Sequence, residues 1–384
     1  MKRPILSIIL IFLLSNSIVA QNSTQKKDSN YHYYEQCIYR PGDYESKNYR
    51  IPAIRVLDDG SLLVLNDKRK NNQGDLPEDI DILVRRSTDM GTTWSEPFTL
   101  AEGQGYKQGY GDPALVQCLN GDVVAVYCGG NGYWNSTLED PQHTYMRKSK
   151  DHGVTWSEPV MLTEHLWGSN KTNPIGSQYK SSFFASGNGL VLTQGKHKGR
   201  ILFVAAICSM DNRPDNFVAY SDDNGDTWKI SDMAYKGGDE AKVVELKDGT
   251  ILLSSRQNGA RGYAISHDGG QTWDPQGRWE DLKSNACNGE IIRYDFPFLS
   301  FKKSILLHTI PNSMDRKDVS IYISRDNGKT WQFAKVIAPG PAAYSSLSIL
   351  PDGRLVAYIE RDTDGDGNYE MWFMRFSIEW LLSL

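Results

Sequence analysis

Cysteine is scarce in this sequence, and its spacing indicates neither a metal site nor a disulfide framework. The 384 residues include five cysteines, none in the C-x-x-C spacing typical of zinc sites. Cys118 and Cys128 flank an Asn-Gly turn, but a tight hairpin there would place Cys118 opposite Val123. We therefore expect small buried residues, with one disulfide possible and none required. The five are Cys37, Cys118, Cys128, Cys208 and Cys287.

Positive charge is not in excess. The chain has 42 lysines and arginines against 47 aspartates and glutamates, a formal charge of −5. Because nucleic-acid binding depends on a surplus of basic side chains, we expect no nucleic-acid partner. Surface charge is screened within about 8 Å at physiological salt. A local group of arginines can therefore still bind a small anion.

Long apolar runs are rare, and the one present is about half the length of a membrane span. It extends from Ile5 to Leu14, follows a basic start and precedes the small residue Ala20. A span needs about 20 apolar residues, whereas this series is typical of a secretory signal. We expect residues 1–20 to be removed before Gln21, giving a periplasmic or secreted protein without a membrane span. An uncleaved anchor is the alternative.

One pattern, S-x-D-x-G-x-T-W, occurs five times. Ser and Asp side chains bond nearby backbone amides, Gly allows a positive φ, and Thr-Trp restarts a strand with an apolar anchor. The pattern therefore predicts a hairpin clip whose aspartates are structural and not catalytic. The copies are Ser87–Trp94, Ser149–Trp156, Ser221–Trp228, Ser266–Trp273 and Ser324–Trp331.

The spacing of these clips predicts an all-β, six-bladed β-propeller with four-stranded antiparallel blades. The copies start 62, 72, 45 and 58 residues apart, which suits a unit of four short strands. The sixth blade lacks a clip, and we expect the tail from Arg354 to Trp380 to close the ring with a strand near the chain start. After a short segment, residues 21–33, no Pro/Gly/Ser-rich linker interrupts residues 34–384, so we predict one domain.

Outside the clips, the stretch Tyr49-Arg50-Ile51-Pro52 precedes the first copy. With the clips, which are Asp boxes, it resembles the sialidase (exo-α-neuraminidase) family of glycoside hydrolases, and the resemblance extends from Tyr49 to the C-terminus. It implies a retaining exo-α-sialidase that acts on sialylated glycoconjugates through a covalent sialyl-tyrosine, without a metal or organic cofactor. Asp boxes alone are weaker evidence, because sorting receptors and assembly factors also contain them.

The resemblance implies that three arginines hold the carboxylate of sialic acid: Arg50, Arg256 and Arg316. Arginine suits this task because its planar fork makes paired, charge-assisted hydrogen bonds and stays protonated. Arg325 is a less well-placed rival of Arg316.

The resemblance also implies that Tyr344 is the nucleophile and Glu240 its base, with Glu245 as a competitor for that role. A phenol is an unusual nucleophile among glycosidases. A carboxylate about 4 Å from the substrate's own carboxylate would be repelled by about 4 kcal/mol at an effective dielectric constant of 20. That is roughly a thousandfold in rate. A neutral phenol avoids this repulsion.

The remaining polar matches concern the leaving group and the sugar ring. Asp75 matches the acid/base residue of the family. Burial would raise its pKa and Arg69 would lower it, and the sequence does not decide which effect prevails. Arg69 and Asp112 resemble residues that contact the 4-hydroxyl group, and Glu360 resembles the carboxylate that supports Arg50. Aromatic candidates for the N-acetyl and aglycone sites, or simply for core and rim, are Tyr133, Trp134 and Trp167.

The segment Asp362–Asn368 has the opening spacing of a calcium-binding EF-hand loop. Position twelve is Phe373 where a glutamate is needed, and no helices flank it. We predict a polar turn between two strands, although a calcium ion remains an alternative.

Two other functions share this pattern. A non-catalytic Asp-box propeller that binds a glycan or protein would keep the fold, but its charged residues would not converge. A trans-sialidase or an intramolecular trans-sialidase would share every catalytic residue. We expect the protein to be a monomer.

Overall fold

The protein consists of six β-sheets arranged as blades around a central axis, in a computed structural model that describes residues 29–167, 178–295 and 304–383. The all-β prediction and the four-stranded antiparallel blades are confirmed. The expected secretory signal, residues 1–20, lies outside the described residues. No helix of the described ranges is long and apolar enough to cross a membrane.

The first three blades follow the chain in order, each beginning with its innermost strand. The chain starts with helical turn α1 (Ser29–His32), strand β1 (Tyr33–Tyr39) and a 3₁₀ turn (Asp43–Glu45). Blade one contains β2 (Asn48–Val56), β3 (Leu62–Arg69), β4 (Ile80–Ser87) and β5 (Phe98–Ala101). Blade two contains β6 (Tyr110–Gln117), β7 (Val123–Gly130), β8 (Gln142–Ser149) and β9 (Val160–Met161), followed by helix α2 (Thr163–Trp167). Blade three contains β10 (Tyr179–Phe184), β13 (Ile201–Ser209), β14 (Pro214–Ser221) and β15 (Lys229–Ile230), with short strands β12 (Leu190–Val191) and β16 (Tyr235–Lys236) paired to it. The short strand β11 (Gly187–Asn188) pairs in parallel with β6 of blade two.

The last three blades include one strand that serves two sheets. Blade four contains β17 (Ala241–Glu245), β18 (Ile251–Ser255), β19 (Gly259–Ser266) and β20 (Gly277–Ser284). Blade five contains β21 (Glu290–Tyr294), β22 (Ile305–Pro311), β23 (Lys317–Ser324) and the first half of β24 (Gln332–Ile349). Blade six contains the second half of β24, β25 (Leu355–Arg361) and β26 (Glu370–Phe376), followed by helix α3 (Ile378–Leu382).

The ring closes through the two ends of the chain. Strand β1 pairs antiparallel with β26 and supplies the fourth strand of blade six. The predicted closure by a strand near the chain start is therefore confirmed. This pairing joins the first and last described strands in one blade.

Hydrophobic side chains fill the spaces between neighbouring blades. Among the described residues, six buried clusters correspond to the six blade interfaces. Strand β3 shows why: Leu63 and Leu65 face blade two, whereas Leu62 and Val64 face blade six. Side chains alternate between the two faces of a strand, so a strand buried on both faces is apolar throughout.

The five Asp boxes form the predicted clips. Each begins at the last residue of a blade's third strand. In every copy the serine hydroxyl donates to the aspartate and accepts from the glycine N–H, while the threonine N–H and hydroxyl donate to the two aspartate oxygens at 2.6–3.0 Å. The glycine is required at Gly91, where φ is 82° and a Cβ atom would lie 2.2 Å from the Phe373 ring.

Two minor predictions have different outcomes. Four of the cysteines are buried and all five are free, but Cys37 is only half-buried. Our expectation for Cys37 was wrong because β1 is the outermost strand of its blade. The segment Asp362–Asn368 is the predicted turn between β25 and β26, and the Asp362 carboxylate accepts N–H groups of Gly365 and Gly367 at 2.7 and 3.0 Å.

Two cavities lie on the axis at opposite ends of the inner strands, each of about 280 Å³. One is lined by Arg50 and Tyr344, near the start of β2 and within β24. The other is lined by Val56 and Ile349, at the far ends of the same strands. The inner strands therefore run from one cavity to the other.

Hydrogen-bonded polar side chains of the inner strands lie at the second cavity, which Asn188 and Glu290 line. Asn188 donates from Nδ2 to Glu290 Oε2 at 2.9 Å and to Ser346 Oγ at 3.1 Å. Lys242 donates from Nζ to the backbone oxygen of Ala185 at 3.2 Å. We call Asn188, Lys242, Glu290 and Ser346 the polar plug; Lys242, Glu290 and Ser346 are buried, and Asn188 is partly exposed.

The Asp-box hydrogen bonds predict a stability effect that is independent of the axial cavities. Asp268→Ala removes the acceptor for two backbone N–H groups and a threonine hydroxyl. We expect the free energy of unfolding in urea to fall by about 1–3 kcal/mol. The control, Asp274→Ala, removes an exposed carboxylate whose side-chain partner is exposed His267, and should change it by less than about 0.5 kcal/mol. Equal losses would contradict this role of the box.

Candidate active site

The cavity near the start of the inner strands collects most of the residues singled out from the sequence. It is lined by charged side chains from several blades and by one aromatic wall. The lining residues that we had predicted are Arg50, Asp75, Asp112, Tyr133, Trp134, Glu240, Arg256, Arg316 and Tyr344.

Three inner strands change register where they carry a site residue. The pairing of β2 shifts between Arg50 and Ala53, that of β6 between Gly111 and Ala114, and that of β24 between Ala342 and Ser345. A bulge of this kind turns a side chain out of the regular alternation, and bulges are common beside active sites. Arg50, Asp112 and Tyr344 lie within these shifts.

The three predicted arginines surround one aromatic ring. The guanidinium carbons of Arg50, Arg316 and Arg256 lie 5.0, 5.3 and 5.8 Å from the centroid of the Tyr344 ring. Among the described residues, no carboxylate lies within 4 Å of Arg316. Arginines from three different blades, at positions 50, 256 and 316, thus converge on one face of the cavity.

Glu360 holds this arrangement from behind. Its buried carboxylate accepts from Arg50 Nε at 2.9 Å and Nη2 at 3.0 Å. It also accepts the backbone N–H groups of Ile51 at 2.6 Å and Tyr344 at 3.1 Å. Burial raises the pKa of Glu360, but Arg50 and these hydrogen bonds outweigh it and lower the pKa. The carboxylate is therefore an anion at neutral pH.

Tyr344 and Glu240 form a hydrogen-bonded pair. The Tyr344 hydroxyl donates to Glu240 Oε2 at 2.5 Å, and Arg256 Nη1 donates to both the hydroxyl, at 2.6 Å, and the carboxylate. Burial raises the pKa of Tyr344 well above its ordinary value, against the opposing effect of Arg256. Burial likewise raises the pKa of Glu240. The phenol is therefore neutral, and the nearby carboxylate is more basic than an exposed glutamate.

Asp75 lies at the exposed edge of the cavity, in the connection between β3 and β4. Its carboxylate accepts from Arg69 Nη2 at 2.5 Å, and its side chain is 75% exposed. Desolvation raises the pKa of Asp75, but Arg69 and Arg50 outweigh it and hold the pKa below its ordinary value. In the protein without substrate, the arginines therefore prevail over desolvation in setting the pKa of Asp75, a balance that the sequence did not decide.

Arg69 is buried and does not line the cavity itself. Its guanidinium donates to Asp67 Oδ2 at 3.0 and 3.2 Å, to the backbone oxygen of Gln73 at 2.6 Å and to Asp75. Asp112 does line the cavity, with a backbone φ of 55° and its N–H donating to Asp67 Oδ1 at 3.1 Å. Asp67 thus links the two residues that we predicted would contact the 4-hydroxyl group.

Some sequence candidates lie elsewhere. Glu245 accepts from Thr193 and Gln194 and lines the opposite cavity, so it is not near Tyr344. Arg325 bonds the side chain of Gln332 at 3.0 Å within an Asp box. Trp167 is buried in the core between blades two and three.

Sequence reasoning missed several residues of the site. Asp67 could have been found, because residues two apart on a strand share a face and Asp67 therefore lies beside Arg69. The others carry no local signal: they meet the site through contacts between distant segments. The missed lining residues include Ile51, Asn135, Gln142, Phe183 and Asp239.

Comparison with known proteins agrees with this geometry. A family model described as a BNR repeat-like domain matches residues 52–357. A sialidase of Clostridium perfringens is 30% identical over 65% of this chain and 68% of its own length. The chain belongs to the sialidase family with BNR repeats. The resemblance inferred from the Arg-Ile-Pro stretch and the Asp boxes is confirmed.

Other sialidases are similar over most of this chain. The sialidase of Micromonospora viridifaciens is 35% identical over 91% of this chain and 54% of its own length, and that of Bacteroides fragilis is 32% identical over 76% and 55%. The chain thus spans about half the length of these two relatives. Among solved structures, a Hadza microbial sialidase aligns with a TM-score of 0.78 and 27% identity, over 90% of this chain and 68% of its own.

The hydrogen bonds of Glu360 predict that its removal destabilises the protein. Glu360→Ala leaves the Arg50 charge and two backbone N–H groups without their acceptor, so we expect the free energy of unfolding in urea to fall by about 3–5 kcal/mol. The control, Glu280→Ala, removes a 74% exposed carboxylate paired with Lys283, and should change it by less than about 0.5 kcal/mol. A loss below about 1 kcal/mol for Glu360→Ala would contradict its supporting role.

Proposed function

We propose that the protein is a retaining exo-α-sialidase that removes terminal sialic acids from glycoconjugates. The observation that supports this most directly is the convergence of three guanidinium groups on Tyr344, whose hydroxyl is bonded to Glu240. A non-catalytic propeller would not need this costly combination of a buried phenol, a buried carboxylate and an arginine group. The secretory signal that the sequence predicts at residues 1–20 supports an exported protein as part of this proposal.

The arginines account for selection of an acidic sugar. Arg50 is paired with Glu360 and Arg256 with Glu240, but Arg316 has no carboxylate within 4 Å among the described residues. A carboxylate at this position would accept charge-assisted hydrogen bonds from several donors. Neutral sugars lack the group that these donors fit, so the cavity favours a sugar acid.

The first chemical step uses Tyr344 and Glu240. The Tyr344 oxygen forms a bond to the anomeric carbon while the bond from that carbon to the glycosidic oxygen breaks. The phenolic proton passes to Glu240 over the 2.5 Å hydrogen bond. Arg256 donates to both partners, so it stabilises the negative charge wherever it lies during the transfer.

Asp75 supplies the proton that the leaving oxygen needs. Its pKa is lowered in the free protein mainly because Arg69 and Arg50 outweigh desolvation. A substrate carboxylate bound by Arg50 offsets part of that positive charge, so binding raises the pKa of Asp75 and favours its acid form. In the second step water attacks the anomeric carbon, Asp75 accepts the proton of water, and Glu240 returns a proton to the departing Tyr344 oxygen.

The covalent step predicts both a trapped adduct and a stereochemical outcome. A 2,3-difluoro sialic acid should add its glycosyl mass to the peptide that contains Tyr344, because fluorine slows hydrolysis of the adduct. Proton NMR of early hydrolysis should show the α-anomer first. Tyr344→Phe should lose at least about 100-fold in kcat, because it lacks the nucleophile. A labelled Asp or Glu, or β-anomer formed first, would contradict the mechanism.

The same reaction mixtures separate hydrolysis from transfer. Free sialic acid is the expected product with 3′-sialyllactose, with and without added lactose. Release of an anhydro sugar would indicate an intramolecular trans-sialidase, and transfer to lactose would indicate a trans-sialidase. Either product would contradict hydrolysis as the function. No turnover of any sialoside by folded protein would reject the enzyme.

If Asp75 is the acid, the loss of activity on its removal should depend on the leaving group of the substrate. Asp75→Ala should lower kcat/KM for 3′-sialyllactose by about 100- to 10,000-fold, the usual contribution of a general acid. A 4-methylumbelliferyl sialoside has a much better leaving group, so its loss of kcat/KM should be far smaller. Asp79→Ala, which removes a carboxylate paired with Lys70 in the same connection, should affect neither substrate. Equal losses on both substrates would show that Asp75 is not the acid.

A further inference from the structure

A fourth arginine lies behind the candidate site, buried and without a carboxylate partner among the residues that the structure describes. Arg261 is 1% exposed in β19. Its Nε donates to Ser254 Oγ at 2.7 Å and its Nη1 to the backbone oxygen of Cys287 at 3.0 Å, while Nη2 has no hydrogen-bond partner in the described structure. A buried charge held only by neutral acceptors is costly. Such a cost points to a role beyond packing.

One anchor of Arg261 leads to blade five. The Ser254 oxygen bonds His308 Nε2 at 2.8 Å, and His308 Nδ1 lies 3.2 Å from the backbone oxygen of Thr309. A carbonyl can only accept, so Nδ1 carries the proton and Nε2 accepts from Ser254. Burial lowers the pKa of His308 well below its ordinary value. The imidazole is therefore neutral, which suits its position next to Arg261.

This chain of hydrogen bonds ends beside the candidate nucleophile. Ser345, the residue after Tyr344, donates from Oγ to Thr309 Oγ1 at 2.9 Å. Ser254, His308, Thr309 and Ser345 are all buried. Arg261 is thus connected through one strand of blade four and one of blade five to the backbone that carries Tyr344.

The second anchor reaches Tyr344 through Cys287. Arg261 holds the backbone oxygen of Cys287, and the Cys287 side chain packs in a buried cluster with Ile51, Ala343 and Tyr344. Burial lowers the pKa of Arg261 to about 10, with smaller effects from Cys287, Arg256, Glu240 and Tyr344. Both anchors therefore lead to Tyr344.

We propose that Arg261 is a positioning residue for Tyr344, which it holds in place through Cys287 on one side and through Ser254, His308 and Thr309 on the other. This inference depends on the proposed function, because it assigns Tyr344 the attacking oxygen. Arg261 does not line the cavity, so it contacts no substrate. Its loss should affect the chemical step and leave recognition of the carboxylate unchanged.

The test compares Arg261→Met and Arg261→Lys with the wild-type protein on 3′-sialyllactose. We expect Arg261→Met to lower kcat by about 10- to 100-fold, the effect of misplacing a reacting group by about 1 Å. KM and the Kd for a 2,3-didehydro sialic acid should change by less than about threefold, because Arg50, Arg256 and Arg316 are intact. Arg261→Lys keeps the charge and should restore part of kcat.

Arg200→Met is the matched control for the loss of a buried arginine. Arg200 is 4% exposed and bonds Asp222 and the backbone oxygen of Gly269, far along blade three from the site. It should lower Tm without lowering kcat. A kcat within twofold of wild type in folded Arg261→Met, or losses of kcat and ligand affinity in equal proportion, would overturn the proposal.

Ser254→Ala keeps the test decisive if Arg261→Met does not fold. It removes one anchor and should lower kcat by at least about threefold with unchanged KM; an unchanged kcat would overturn the proposal. Wild-type activity separates the two levels of inference. A wild-type protein that hydrolyses no sialoside rejects the proposed function, whereas an active wild type with a fully active Arg261→Met rejects only the role of Arg261.

Discussion

The buried carboxylate of Glu360 is the interaction on which the rest of the site depends. It accepts two hydrogen bonds from Arg50 and one each from the backbone of Ile51 and Tyr344. Because Glu360 belongs to the last blade and Arg50 to the first, the bonds that orient the site also join the blades at the seam of the ring. Ile51 has a φ of 65°, which is unfavourable for a β-branched residue. The hydrogen bond from its N–H helps to hold that conformation.

A second constraint is the placement of unlike charges around Tyr344. The arginines alone would form a site of strong mutual repulsion, and two of them are paired with Glu360 and Glu240. Arg316 stays without such a pair among the described residues. The cavity therefore has a positive charge that an anionic ligand can neutralise, while the phenol remains protonated because its surroundings are buried. Under the proposed function, binding and chemistry use the same cations.

The sequence predicted the fold well because its determinants are local. The Asp boxes are contiguous patterns, and their spacing gave the number of blades; the shared strand Gln332–Ile349 was not foreseen, because nothing in its sequence marks the change of blade. The site was predictable only through family resemblance, since Arg50, Glu240 and Tyr344 meet across the ring. Whether Arg69 would reach the cavity, or how Arg261 would be held, depends on contacts between segments that no spacing reveals.

The polar plug affects the route by which a ligand reaches Tyr344. Lys242, Glu290 and Ser346 are buried on inner strands of blades four, five and six, and Asn188 bonds to two of them. Polar groups that are already bonded to one another leave few donors and acceptors for a passing ligand. Under the proposed function, a ligand beside Tyr344 would therefore exchange through the mouth of its own cavity, where Trp134 is half exposed.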